Sequence, residues 1–496
     1  MSNEKRPMEE PAAGGTAELL RLAWPLVLSN SFWTLQIVLD RILISRSLGE
    51  GVGAAFSAAM LFWVPMALLQ NTASYATTFV AQYSGANQPH RIGPAVWQSL
   101  YFSIATGLAF LGLVPLSEPL IALGEHAPEL QTMEVVYFRC LCFAALPILV
   151  THSVSSFFAG RGDSRTVLVI NAVGLTVNAF LTCAWIFGLW GFPQLGIAGA
   201  GWATVLGSST SALVGLGWML RPCFQAAFNT HRWKFEKDLF RRLMRFGIPN
   251  GIFAGLDVLA FTIFLVLVGR LGKVELAASS IAFTLNLFSF LPSFGLGQAV
   301  GVLVGKRLGE NRSDVAERTT WSGLRIGLVY MFVIGLIYLL LPDQLVMIFQ
   351  SENDAAQWDK IAALIPGLLA FVALYSFFDA MNLVFSFALR GAGDTRFVTL
   401  IAFFLSWPIM VLPTWAAWYF DWGLYWAWTF ASVYILLLAV VFLLRFRQGR
   451  WRSMRVIEMA AASGGNLKLE PDELEDAGLL DPMTDPATSV PIDTPL

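Results

Sequence analysis

The sequence has little charge for its length. Asp, Glu, Lys and Arg make up only 13% of its 496 residues, about half the share in a typical soluble domain, whereas hydrophobic residues make up 56%. The four cysteines and four histidines show no spacing typical of a zinc site or a disulfide framework. A Walker A motif is also missing. We therefore exclude a soluble enzyme, an ATP-hydrolysing domain and a nucleic-acid binder, and we expect no resident cofactor.

Long uncharged runs dominate the chain. Residues 51–89, 166–220 and 276–305 contain no charged residue, and 397–444 contain only Asp421. A helix that spans a bilayer needs about 20 apolar residues, and continuous rather than alternating apolarity excludes a β-barrel. We predict an all-α integral membrane protein with twelve transmembrane helices. Their predicted centres lie near residues 35, 68, 105, 148, 177, 208, 257, 288, 333, 376, 407 and 434.

Basic residues collect on one side of these predicted helices. The loops after helices 2, 4, 6, 8 and 10, with the segments that flank helices 1 and 12, hold 25 Lys and Arg residues, against five in the opposite loops. Arg161, Arg165 and Arg390 are assigned to the basic loops. Because short basic loops stay in the cytoplasm, we predict a multi-pass protein of the plasma (cell inner) membrane with both termini cytoplasmic.

The two ends of the chain differ in charge from the membrane segments. Nine acidic residues and one Lys lie from residue 456 onward, and this composition predicts a disordered tail. The first fifteen residues lack the short apolar run of a secretory signal, so we expect no cleaved leader.

The two halves of the chain resemble each other. GRGDSR at 160–165 matches GAGDTR at 391–396, and Pro25 matches Pro249. Six spans per half give both halves the same orientation, so we predict two six-helix lobes related by an internal parallel repeat, with a cleft between them. The predicted division is a cytoplasmic N-terminus at 1–17, an N-lobe at 18–220, a basic inter-lobe loop at 221–245, a C-lobe at 246–452 and an acidic tail at 453–496.

Three carboxylates fall inside predicted spans: Asp40, Asp257 and Asp379. An ionised carboxylate costs roughly 2.5–3.5 kcal/mol at the bilayer centre, so each is a candidate functional residue. Asp257 and Asp379 lie in the same lobe and have no basic neighbour in the middle of their spans. A bound proton, or a bound cation such as sodium, would stabilise them. The alternative is that both are buried, protonated structural acids.

Five segments resemble motifs of the MATE (multidrug and toxic compound extrusion) family, in its NorM-like branch. They are QYSGANQPHR at 82–91, GDSR at 162–165, INAVGLTVN at 170–178, FLPSFGLGQAVGVLVGKRLGEN at 290–311 and LRGAGDTR at 389–396. The resemblance runs over most of residues 18–445. It implies an antiporter in which sodium or a proton drives export of amphipathic, often cationic, small molecules or drugs by alternating access.

The resemblance also implies roles for individual residues. Asp257, Asp379 and Tyr375 match the cation site of the family's C-lobe, although the branch more often has Glu at the first position. Asp40 matches a coupling Asp of helix 1, with a structural pair to Arg41 or Arg46 as the alternative. Polar residues that match or resemble family positions lining the substrate cavity are Asn171, Asn178, Gln70, Asn71, Asn286 and Gln298; helix–helix hydrogen bonding is their alternative role.

Two other functions compete with cation-coupled export. A lipid-precursor or polysaccharide flippase of the wider superfamily would often have fourteen spans and a basic cavity, whereas this chain has twelve predicted spans with acidic residues. A membrane enzyme would need a nucleophile or metal cluster near one interface, and none is evident. We expect the partners to be a small-molecule substrate and the lipid bilayer, with no nucleic acid, and we expect a monomer.

The charge asymmetry makes a direct prediction about topology. Reporter domains fused at residues 230 and 465 are both expected to read as cytoplasmic, because both positions follow an even number of spans on the basic side. Alkaline phosphatase and green fluorescent protein fusions measure this with opposite signs. A periplasmic reading at either position contradicts the predicted orientation.

Overall fold

Helices make up most of the part of the protein that the structure describes. The computed structural model describes residues 13–48, 51–124, 126–347, 349 and 355–458, and every regular element in these ranges is a helix. Eleven helices are long and apolar enough to cross a membrane. A twelfth, Ile92–Leu111, has 20 residues, the length of a span. The predicted all-α, twelve-helix class is confirmed, and each predicted centre lies inside its own helix.

The first half contributes six membrane helices. They are Thr16–Leu48 (α1), Gly51–Ser74 with Ala76–Gly85 (α2, interrupted at Tyr75), Ile92–Leu111 (α3), Pro128–Gly160 (α4), Ser164–Phe187 (α5) and Ile197–Met219 (α6). Short helical turns in the connections are Pro89–Arg91, Ser117–Ala122 and Leu189–Gly191.

The second half contributes the other six. They are Lys237–Leu271 (α7), Lys273–Gly309 (α8), Ser313–Leu340 (α9), Ala355–Ala392 (α10), Thr395–Leu405 continued by Ser406–Val411 and Leu412–Tyr419 (α11), and Leu424–Arg447 (α12). Shorter helices are Pro222–Phe228 between the halves, Pro342–Met347 and Arg450–Ser453. Since α7 begins at Lys237, the last part of the segment 221–245 is helical. The acidic tail lies, from residue 459, outside the described residues.

The sequence repeat is repeated in the backbone. Asn87 and Asn311, 224 residues apart, follow the ends of α2 and α8, and both have a left-handed φ, of 55° and 58°. Gly162 and Gly393, 231 residues apart, do the same after α4 and α10, with φ of 87° and 110°. Left-handed φ is tolerated mainly by Gly and Asn, so these residue types are required at both turns.

Prolines interrupt the same helices of each half. A proline removes one backbone hydrogen bond and bends a helix where neighbouring helices can compensate. The interrupted helices are α1, α2 and α4 in the first half and α7, α8 and α10 in the second, at Pro25, Pro65, Pro147, Pro249, Pro292 and Pro366. The exception is α11, which contains Pro408 and Pro413, whereas α5 contains no proline.

The two halves approach most closely where glycines remove the side chain. At Gly85 an added Cβ would collide with the backbone carbonyl of Lys306, and at Gly309 it would collide with that of Gln82. These two contacts are exchanged by the repeat, because Gln82 and Gly85 correspond to Lys306 and Gly309 at an offset of 224. The ends of α2 and α8 therefore pack backbone to backbone about a local pseudo-two-fold axis.

We call this end of the bundle the terminal face; it contains the start of α1, the ends of α2 and α8, and Val456. Hydrogen bonds between the halves lie near it. Apolar residues at the start of α1 also pack into the core of the second half. The hydrogen bonds join Asn30 to Gln298 (3.1 Å), Asn250 to the Asn71 carbonyl (2.8 Å), Tyr75 to the Arg390 carbonyl (2.8 Å), and Gln82 to both the Gly391 carbonyl (3.1 Å) and the Val456 amide (2.8 Å).

We expect Gly85→Ala and Gly309→Ala to weaken closure of the terminal face. The added methyl group meets a backbone carbonyl that cannot move aside, and such overpacking typically costs about 1–3 kcal/mol. Gly217→Ala in α6 is the matched control, because nothing lies within 4 Å of its new Cβ. Disulfide cross-linking between cysteines placed on the two halves at this face measures the change. Unchanged cross-linking in both Gly85→Ala and Gly309→Ala contradicts the close backbone packing of α2 against α8.

Candidate functional site

Two carboxylates of the second half face the interior of the bundle. Asp257 of α7 is accessible, whereas Asp379 of α10 is buried. The two lie within electrostatic reach of each other, and Asp257 also lies within reach of Arg390. Among the described residues, neither carboxylate has a Lys, Arg or His nitrogen within 4 Å. Their negative charge is therefore only partly offset by the protein.

Oxygen atoms without hydrogen-bond partners surround Asp379 on α10. Tyr375 Oη, Ser376 Oγ and Asn382 Oδ1 are buried, and none has a partner in the described part of the chain. Tyr375, Asp379 and Asn382 stand four and three residues apart and so share one helix face. Asn382 Nδ2 donates to Asp379 Oδ1 at 3.4 Å. Leaving a buried oxygen unsatisfied costs about 1–3 kcal/mol, so this stripe favours an additional partner.

The Tyr375 ring is held in place by packing. It lies against Trp428 of α12, with ring centroids 6.5 Å apart, and Trp428 stacks on Phe283 at 4.7 Å. The Trp428 indole N–H donates to Ser279 Oγ at 3.1 Å. The phenol oxygen of Tyr375 lies within electrostatic reach of Asp379 and has no hydrogen-bond partner among the described residues.

In the first half, Asp40 is buried between α1 and α5. Thr182 Oγ1 donates to Asp40 Oδ1 at 3.1 Å. Arg41 lies over the Phe56 ring, 5.1 Å from its centroid. The alternative prediction, an ion pair of Asp40 with Arg41 or Arg46, is not found among the described residues. The neighbouring Arg points to a different side of the helix, as a 100° step requires.

The predicted amides of α5 form contacts within the first half. Asn171 Nδ2 donates to Ser29 Oγ at 2.5 Å, and Asn178 Nδ2 lies 3.4 Å from Thr204 Oγ1. Asn178 is buried, and its Oδ1 has no partner in the described residues. Asn171 and Asn178 thus lie on α5 itself, and Asp40 lies on α1, which packs against α5.

The other four amides lie elsewhere. Asn71 Nδ2 donates to the carbonyl of Ala67 in its own helix, and Gln298 accepts from Asn30 across the two halves. Gln70 and Asn286 are half-buried. These four amides thus lie on α2 and α8, whereas Asn171 and Asn178 lie on α5.

Comparison with known proteins decides the family. The sequence matches the MatE family over residues 25–184 and 255–415, which is more than half of the chain. The chain belongs to the MatE family. The two matched segments correspond to the two halves of the repeat, and they include Asp40, Asp257, Tyr375 and Asp379.

Individual MatE relatives cover most of the chain. A probable multidrug resistance protein NorM of Thermotoga maritima is 26% identical over 89% of this chain and 94% of its own length. A multidrug resistance protein NorM of Burkholderia vietnamiensis is 30% identical over 78% of this chain and 84% of its own length. A structure described as an outward-facing multidrug resistance MATE transporter superposes with a TM-score of 0.80 at 18% identity, covering 88% of this chain and 97% of that one.

Two residues of this MatE chain were missed by sequence reasoning. Tyr434 of α12 is buried and lies within electrostatic reach of both Asp257 and Asp379. It lies outside the matched segments, and no local signal separates it from the other nine tyrosines. Only the fold brings α12 to α7 and α10.

Arg390 is the second, and here the sequence prediction was wrong. Arg390 is not in a loop but inside α10, buried at the contact between the halves. Its guanidinium donates to the Ser386 carbonyl (3.2 Å) and to Asn250 Oδ1 (3.3 Å), and it lies 4.1 Å from the Phe387 centroid. The helix runs on to Ala392 because Gly393, not Arg390, takes the left-handed turn. A charge three residues before a glycine turn can therefore still be helical and buried.

Proposed function

We propose that the protein exports amphipathic, often cationic, small molecules in exchange for sodium or protons. Membership of the MatE family and the multidrug resistance names of its relatives support export of drug-like molecules. Cation coupling is supported by the second half: two weakly compensated carboxylates and a stripe of buried oxygens without partners. The chemistry required of this chain is transport rather than catalysis, and no resident cofactor is needed.

The single observation that supports the coupling site best is the unsatisfied oxygen stripe of α10. Carboxylate, amide and hydroxyl oxygens are the ligands that hard cations prefer in proteins. Asp379, Tyr375 and Asn382 would contribute such oxygens to sodium, with Asp257 adding a second negative charge. A proton on either carboxylate would remove the same repulsion, and a protonated Asp379 could donate to a neighbouring oxygen. The residues present therefore fit either coupling ion.

Arg390 offers a physical route from this site to the contact between the halves. It is within electrostatic reach of Asp257, it donates to Asn250, and Asn250 in turn donates to the Asn71 carbonyl of the first half. A cation or proton bound at Asp257 would weaken the attraction between Asp257 and Arg390. The stability of the contacts at the terminal face would then change. The ion would shift the equilibrium between the two access states only as far as its affinity differs between them.

The described conformation is closed at the terminal face. If this face is cytoplasmic, as the basic loops predict, the substrate cleft opens to the outside. We propose that both termini lie in the cytoplasm, that the protein resides in the plasma (inner) membrane and that it acts as a monomer. Asp40 would provide a second coupling group in the first half, and Asn171, Asn178, Gln70, Asn71, Asn286 and Gln298 would provide polar contacts along the cleft in successive conformations.

A lipid-precursor or polysaccharide flippase is the competing function. An anionic pyrophosphate cargo would be repelled by Asp257 and Asp379 unless both were neutral. The accessible carboxylate of Asp257 instead favours a cationic substrate or ion.

We expect Asp257→Asn and Asp379→Asn to abolish gradient-driven efflux while leaving expression intact. The amide has nearly the same size but cannot supply a negative charge, and removing a weakly compensated buried charge does not harm folding. We expect the rate of gradient-driven efflux to fall by about 5–150-fold, the range typical of a lost coupling free energy. Efflux of a fluorescent cationic dye from proteoliposomes, under imposed sodium or proton gradients, measures it. Asp257→Glu should retain part of the activity, and Tyr375→Phe should reduce it without abolishing it.

Asp421→Asn is the matched control for these variants. Asp421 is an exposed aspartate between α11 and α12 with a left-handed φ of 55°, which Asn tolerates equally well. It should transport at the wild-type rate. Wild-type transport by both site variants under both gradients would refute the C-lobe coupling site and leave Asp40 as the next candidate.

A further inference from the structure

A basic groove lies between the halves at the terminal face, apart from the proposed coupling site. It encloses about 390 Å³ and is lined by the start of α1, the turn between α4 and α5, and the last turns of α8. Four of its side chains are basic and two are acidic. They are Arg21, Arg161, Arg165 and Lys306, with Glu18 and Asp163.

The two acidic residues are already occupied by other partners. Glu18 accepts from Arg307 at 2.5 Å and from the Gly14 amide at 2.8 Å. Asp163 caps α5 by accepting from the Thr166 amide (3.3 Å) and hydroxyl (2.7 Å). Neither carboxylate forms an ion pair with the groove's own basic residues, although Asp163 lies within electrostatic reach of Arg161.

Three of the basic residues have spare hydrogen-bonding capacity. In the described part of the chain, the side chains of Arg21, Arg165 and Lys306 make no hydrogen bond or ion pair. Arg165 only lies near the Trp24 ring, 5.9 Å from its centroid. With four basic and two acidic side chains, the groove lining carries a net positive charge, and a concave site of this kind attracts anions.

The fourth basic residue is held rigidly. The Arg161 guanidinium lies 4.4 Å from the ring centroids of both Phe157 and Phe228 and 4.7 Å from that of Phe224. Two of these rings belong to the connecting helix Pro222–Phe228. Arg161 Nη1 is nevertheless buried without a hydrogen-bond partner among the described residues. The aromatic rings thus fix a donor whose N–H bonds are not satisfied.

The groove borders an apolar surface that is suited to lipid. Leu20, Trp24 and Leu28 of α1 are 49%, 43% and 42% exposed, and their spacing of four residues puts them on one helix face. Arg21 lies directly beside this face. A membrane lipid whose chains cover these three side chains would have its headgroup at the level of the groove.

We propose that this groove binds the phosphate group of an anionic phospholipid in the leaflet at the terminal face. Arg21, Arg161 and Arg165 belong to the first half, whereas Lys306 belongs to the second, so one phosphate would bridge the two halves and favour the conformation that is closed at this face. The identity of the leaflet rests on the proposed orientation, but binding itself does not depend on transport. Soluble phosphate compounds share the same chemistry and are the second possible source.

The test compares binding of two lipids by the purified full-length protein. Native mass spectrometry measures the affinity for phosphatidylglycerol and for phosphatidylcholine in wild type and in the triple variant Arg21→Gln, Lys306→Gln, Arg165→Gln. Each basic residue near a membrane surface contributes about a fivefold factor in affinity for anionic lipid. We therefore expect roughly 100-fold weaker binding of phosphatidylglycerol in the triple variant, and no change for phosphatidylcholine.

The control removes the same charge elsewhere on the same face. Arg318→Gln, Arg325→Gln and Arg450→Gln replace three exposed basic residues that do not line the groove, and this variant should bind like wild type. A parallel thermal-shift titration with glycerol phosphate tests the soluble source: stabilisation lost only in the groove variant supports a phosphate site filled from solution. Equal behaviour of the groove and control variants with both probes overturns the proposal, whatever the result of the efflux assays.

Discussion

Close backbone packing between the two halves is the constraint on which the other features depend. Gly85 and Gly309 allow the ends of α2 and α8 to meet without side chains between them, and the repeat makes the two contacts equivalent. Gly251 similarly lets α7 approach Leu68 and Thr72 of α2. These contacts lie at one face of the bundle. Asp257 follows Gly251 by six residues along α7 and is accessible.

Charge is distributed around that contact in a consistent way. Arg390 is buried at the contact, between the accessible carboxylate of Asp257 and the amide of Asn250. Arg390 stands on the same helix as Asp379 and within electrostatic reach of Asp257, so under the proposed function it would link the charge of the site to the packing between the halves. That relation would be reciprocal, because a change in packing that moves Arg390 would also change the affinity of Asp257 for a cation.

The sequence predicted the helices well because a membrane span imposes a simple composition over about 20 residues. Asp257 and Asp379 could be identified from the sequence for a related reason: charge is rare inside spans, so each instance is conspicuous. Tyr375 was indicated only by the resemblance to the MATE family. Tyr434 and Arg390 could not be identified from the sequence in this way. Tyr434 is one tyrosine among ten and gains meaning only when α12 is brought beside α10, and Arg390 resembles a loop cation until the helix end is known. The matching segments GRGDSR and GAGDTR differ in the role of their Asp. Asp163 caps α5, whereas Asp394 pairs with Arg445 at 2.7 Å, a partner 51 residues away.

The central claim is that occupancy of the C-lobe carboxylates shifts the separation of the two halves. The most direct measurement is the distance distribution between spin labels at Leu123 and Phe420, exposed residues on the opposite face of the two halves, in a variant without its four native cysteines. Sodium or a fall in pH should redistribute the distances in this background. The same change should be absent from the double variant Asp257→Asn, Asp379→Asn. An identical distribution under all conditions, or a full response in the double variant, would contradict the account.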